Sequence, residues 1–73
     1  MSGKMRVDPW SNFNTNFLIL RHRHKKSQGE IAEALGIKRG GVSGWEERRS
    51  EPSLYMLKRI AEYFNVTADD LLK

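Results

Sequence analysis

Seventy-three residues without a cysteine make one small domain that an apolar core must hold, with neither a disulfide framework nor a thiolate zinc site. A formal charge of +4 and a pI near 9.8 favour polyanionic partners. The longest apolar run, Phe17-Leu18-Ile19-Leu20, is far short of the ~20 residues a membrane span needs, and no signal-peptide core precedes it, so a soluble, uncleaved, cytoplasmic chain is expected.

Residues 1–11, MSGKMRVDPWS, lack helical or strand periodicity and contain Asp8-Pro9, a turn or extended signal, so they are expected to form an N-terminal arm ahead of one domain over residues 12–73. Trp10 is placed either as a clasp on the domain or on an exposed arm reaching a partner. From Asn12 onward Phe13, Phe17, Leu20 and His24 recur at steps of four, three and four, which predicts a first helix to about Lys26. Ser27 with Glu30 forms a capping box for a second helix, whose buried side is Ile31, Ala32 and Leu35 and whose end is Gly36. Val42 and Trp45 mark a third helix, about residues 38–47, apolar on one narrow side only. Pro52 and the cap Ser53 introduce a fourth helix with a stripe of Leu54, Leu57, Ile60, Ala61 and Phe64, closed by Asn65. Thr67 with Asp70 caps a short fifth helix that carries Leu71 and Leu72. No strand is predicted, and the fold class is all-α.

Charge is concentrated in the middle of the chain. Eight of the 13 basic residues (Arg21, Arg23, Lys25, Lys26, Lys38, Arg39, Arg48 and Arg49) fall between positions 21 and 49, opposed there by Glu30, Glu33, Glu46 and Glu47. Such a segment suits nucleic acid, and it equally suits a solvated charged face. The third helix adds a puzzle. At roughly 100° per residue Gly41, Val42 and Trp45 share the core side, while Gly40, Ser43, Gly44 and Glu47 share the opposite one. Each glycine costs a helix interior about 1 kcal/mol relative to alanine, so the three forgo about 3 kcal/mol.

The stretch SQGEIAEALGIKRGGVSGWEERRSEPS closely resembles the helix-turn-helix of the lambda-repressor and Cro family, the XRE-type regulators. Gln28, Ala32, Leu35, Gly36, Ile37, Val42, Trp45 and Glu46 stand at that family's spacings, and the following EPSLYMLKRIAEYFNVTADDLL resembles its fourth and fifth helices. The resemblance covers about residues 13–73 and implies a five-helix domain, with the helix-turn-helix formed by helices 2 and 3, that binds double-stranded DNA and regulates transcription as a repressor. It also implies a homodimer on an inverted-repeat operator, for which Val66, Leu71 and Leu72 are the candidate contact.

Further roles follow from the resemblance. Ser27, Gln28 and the amide of Gly29 would clamp a phosphate at the start of the second helix, with Arg48, Arg49 and Ser50 on the backbone of the same half-site. Base reading would fall to Lys38, Arg39, Gly40 and Gly44, with Ser43 beside them, and Arg21 would pair with Glu46 as a structural salt bridge. Two positions depart from the pattern. Arg48 replaces the glycine that usually ends the third helix, so that helix either runs on or turns under strain, and Lys26 stands where relatives bury an aliphatic residue. The two bare positions on the open side admit a close backbone approach to the groove with Arg39 on a guanine, or a domain that reads few bases directly and leans on phosphates and DNA shape.

Enzymatic chemistry is not evident. His22 and His24 point about 200° apart on a helix and cannot chelate one ion from a single face. There is no glycine-rich nucleotide loop, no nucleophile with a base and no carboxylate pair on a cleft, so no catalytic residue, metal or other cofactor is expected. Two further functions stay open: an antitoxin that represses its own operon and holds a toxin protein, and a degenerate helix-turn-helix that binds protein alone.

Overall fold

Two of the helices begin at a reciprocal cap. Ser27 Oγ accepts from the Glu30 amide while the Glu30 carboxylate accepts from the Ser27 amide, and Thr67 and Asp70 repeat the arrangement. In the computed structural model, which describes residues 8–73, the element order is α1 (Phe13–Arg23), α2 (Gln28–Leu35), α3 (Arg39–Glu46), α4 (Leu54–Phe64) and α5 (Ala68–Leu72). No strand occurs among the described residues, and residues 1–7 of the expected arm lie outside them.

The core is centred on Phe17 of α1, whose ring meets Trp45 of α3 edge-on at 5.7 Å and Phe64 of α4 at 5.9 Å. Around it Ile31, Val42, Ile60 and Leu71 are fully buried, one from each of the other helices. Trp10 continues the aromatic series by meeting Phe13 edge-on at 5.5 Å, which is the clasp position rather than an exposed arm. His24 extends it at the other end, its ring 5.0 Å from that of Phe64.

Four helices end in the same way. After α1, α2, α3 and α4 one residue turns left-handed, at φ 56° for Lys25, 74° for Gly36, 63° for Arg48 and 58° for Asn65. Behind each of them the next amide reaches back to a carbonyl five residues earlier: Lys26 to Arg21, Ile37 to Ala32, Arg49 to Gly44 and Val66 to Ala61. This satisfies carbonyls that a helix end otherwise strands. It also explains why α1 stops at Arg23, short of the expected Lys26. Only Gly36 adopts the conformation free of the Cβ clash, so Lys25 and Arg48 carry strain on the order of 1 kcal/mol each.

The two ends of the domain are tied. Asn12 Nδ2 donates to the Lys73 carbonyl at 2.9 Å and Asn16 Nδ2 to the Leu71 carbonyl at 3.0 Å, so α1 closes the end of α5. Two apolar assignments need correction. Leu54 is 77% exposed, because α4 starts ahead of the point where it meets the core and the buried residue there is Pro52. Leu71 is fully buried, so of the three residues considered for contact with a second copy it has no surface to offer, and Val66 and Leu72 are half-buried against the core.

Lys25 is exposed, and no side-chain bond of it exists among the described residues, so Lys25→Gly should relieve the strain against the smaller cost of glycine's extra chain entropy: stability should rise by up to about 1 kcal/mol, and Tm by up to roughly 4–8 °C, in a thermal melt. The caps set an acid limit. Hydrogen bonds from the Ser27 and Thr67 amides hold the Glu30 and Asp70 carboxyls below their ordinary values of 4.5 and 3.8. A folded-state value below the unfolded one stabilises fully above the unfolded value and is lost as pH falls through the folded one. Stability should therefore decline on acidification below about pH 4.5, and Glu30→Gln with Asp70→Asn should flatten that decline.

Candidate nucleic-acid interface

One carboxylate joins α3 to both preceding helices. Glu46, its last residue, accepts from Arg21 Nε at 2.5 Å, from Arg21 Nη2 at 3.1 Å and from Gln28 Nε2 at 2.8 Å. Arg21 also donates to the Lys26 carbonyl at 3.0 Å, in the turn that ends α1. The two charged side chains are 15% and 8% exposed, so the pair is largely out of water and each partner depends on the other. The Arg21 guanidinium therefore faces Glu46, and the bond from Gln28 brings α2 to the same point.

On the outward side of α3, Lys38 and Arg39 are exposed, and their side chains have no hydrogen-bond or ion-pair partner among the described residues. Lys38 is the N-cap, and its side chain gives the helix no capping bond. Gly40 is open, with nothing within 4 Å of where a Cβ would stand. Ser43 donates to the Gly40 carbonyl at 3.2 Å. Gly44 departs from the expected open side: it is buried, because the chain after α3 folds back over it. Both the Arg49 and Ser50 amides bond its carbonyl, at 2.9 and 3.3 Å, and a Cβ at Gly44 would come 2.9 Å from Ser50 Oγ.

The residues assigned to phosphate have different partners in the structure. Ser27 caps α2, and Gly29 beside it has no neighbour closer to a Cβ than Ser27 Oγ at 3.9 Å, which leaves backbone approach open there. Gln28 is engaged with Glu46 through its amide nitrogen, which a wheel of its own helix could not reveal. Arg48 turns left-handed rather than extending α3, and its Nη2 donates to the Ser11 carbonyl at 3.2 Å, tying the arm. Arg49 lies back along α3, donating from Nε to Glu47 at 2.9 Å and from Nη2 to Ser43 Oγ at 3.2 Å.

Sequence reasoning missed three polar ties. Besides Asn12 and Asn16 on α5, Arg59 of α4 donates to the Leu35 carbonyl at 2.7 Å and closes the end of α2. The four-residue spacing of Asn12 and Asn16 put them on one face, a signal that an apolar-stripe search passes over. His22 Nε2 lies 3.4 Å from Arg21 Nη2, and no group of three or more His, Asp or Glu residues is placed to hold a metal among the described residues.

A helix-turn-helix family profile matches residues 19–71, and the chain belongs to that family, the XRE-type that its motif resembles. The chain is also similar to the HTH-type transcriptional activator BcrR of Enterococcus faecalis, with 37% identity over 60 residues, 82% of this chain and 29% of that protein. It thus spans less than a third of the length of that relative. No solved structure matches the chain significantly.

Glu46→Ala leaves Arg21 buried without its counter-charge and should cost about 3–5 kcal/mol, enough to threaten the fold of so small a domain. Replacing both partners together, Arg21→Met with Glu46→Leu, should cost less than Glu46→Ala alone. Urea unfolding of the variants that remain folded, with thermal melts for the rest, gives the order.

Proposed function

We propose that this chain is the DNA-binding part of a transcription regulator and that it lays α3 in the major groove of a duplex. The observation that carries the reading is the free outward side of α3: Lys38 and Arg39 exposed and unpaired among the described residues, with Gly40 open beside them. Unpaired cations on an anchored helix attract phosphate and present donors to base edges, and a guanidinium suits guanine O6 and N7 in a bidentate pair. The capped first turn of α2 keeps other amides available, so Ser27, Gly29 and the unused donor of Gln28 would hold a phosphate there and set the register. Ser50, exposed in the loop after α3, would join them.

Control by operator occupancy follows from this reading, and a second copy on an adjacent half-site completes it. An inverted repeat mirrors the two-fold symmetry of a dimer. Support for pairing comes from Val66, which shares a groove with Ile19 and Leu20 between α1 and the start of α5. Ile19 is 48% exposed there. Duplexes selected from a random pool, with the winners titrated against salt, test both points. An enriched inverted repeat supports a sequence-specific dimer, and Arg39→Ala should then relax the preference at one base pair per half-site while other positions keep theirs. Absence of binding to any duplex at low salt overturns the proposal.

A further inference from the structure

The bareness of α3 is filled from outside the helix. Gly44 lies on the side of α3 away from Val42 and Trp45, yet it is buried. What covers it is polar: a Cβ at Gly44 would stand 3.7 Å from Arg49 Nη1 and 3.9 Å from Arg49 Cζ, besides its approach to Ser50. The left-handed Arg48 reverses the chain, the Arg49 amide bonds the Gly44 carbonyl, and the Arg49 side chain then runs back along the face that Gly40, Ser43 and Glu47 share. We infer that Arg49 is a base-reading, specificity-determining residue, presenting its guanidinium where a side chain at position 44 would otherwise stand.

Three features favour base reading over the phosphate contact that the motif implies. Arg49 is oriented at two nitrogens, Nε on Glu47 and Nη2 on Ser43 Oγ, and Ser43 is in turn held on the Gly40 carbonyl. Of the five N–H donors of a guanidinium, three remain for a ligand, enough for a bidentate pair with guanine. Glu47 also offsets the charge of Arg49, which lessens its attraction for a phosphate and leaves a directional donor set. The pair is 59% and 61% exposed, so Glu47 holds Arg49 only weakly by itself. A Cβ at Gly44 would only touch the guanidinium, at 3.7–3.9 Å, so the bare position leaves the space for any longer side chain to Arg49.

This inference rests on the major-groove reading proposed above, and one experiment separates the two. Base preference is measured by selection from random duplexes for the wild type, Arg49→Ala, Arg49→Lys, Gly44→Ala and Gly44→Leu, with folding of each checked by circular dichroism. Arg49→Ala should lose about tenfold or more discrimination at one G·C pair per half-site, with the other positions unchanged. Arg49→Lys, which keeps the charge without the fork, should not restore it. Gly44→Leu, whose longer side chain would compete for the space that Arg49 fills beside position 44, should weaken the preference at that same pair, whereas Gly44→Ala, which meets only Ser50 Oγ closely and leaves the guanidinium in ordinary contact, should keep it. A uniform loss on all duplexes from Arg49→Ala, restored by Arg49→Lys and accompanied by a salt slope lower by about one, overturns the base-reading role while leaving major-groove binding intact. A wild type that selects no duplex overturns both.

Discussion

Glu46 is the constraint on which the rest of the site depends. Its carboxylate ends α3 and receives donors from α1 and α2 together. Besides this carboxylate, α3 is held by Val42 and Trp45 in the core, where the Trp45 ring meets Phe13 and Phe17. Eight residues are too few for a helix stable by itself in water, three of them are glycine, and its first turn has no side-chain cap. Its packing is confined to Val42, Trp45 and the covered Gly44. The orientation of Lys38, Arg39 and Gly40 is thus inherited from core packing and an ion pair behind them. Such a pair contributes little net stability over a well-packed apolar replacement, whereas losing one partner alone is costly.

The three glycines of α3 have three different surroundings. Gly40 meets nothing, Gly41 would place a Cβ 3.4 Å from Ile37 Cδ1, and Gly44 would meet Ser50 and Arg49. A helix-propensity scale treats them alike, at about 1 kcal/mol each. The structure separates a glycine that leaves a face open, one at ordinary contact distance and one that makes room for the chain returning from the turn. In the last case part of the loss in propensity is offset, because the amides of residues 49 and 50 gain the Gly44 carbonyl as acceptor.

What could be read from the sequence was whatever one helix decides for itself. The caps Ser27 with Glu30 and Thr67 with Asp70, the glycine stop at Gly36 and the apolar stripes of α2 and α4 all depend on residues within a few positions of each other. The family motif added Arg21 against Glu46, a pair 25 residues apart. The features that escaped are those in which a second element intrudes. Gly44 is buried by a loop, Gln28 is claimed by α3, and Leu54 is stranded because α4 starts early. The left-handed turn at Lys25 escaped because a lysine does not announce that conformation, and at Arg48 the motif left it as one of two outcomes, whereas Gly36 and Asn65 announce it themselves.

The amide bonds from Asn12 and Asn16 to the carbonyls of Lys73 and Leu71 close the helical chain into a ring. Most of the other polar ties join neighbours in sequence, but these two span 61 and 55 residues and enclose nearly all of the domain. Loop entropy grows only slowly with length, so holding the ends together is a modest entropic demand. In topological terms, the order in which the helices are connected is separable from the order in which they pack. A chain opened in the exposed turn after α3 and joined across the tied ends would preserve the helix-turn-helix unit, and the Glu46 anchor with it, on one uninterrupted stretch.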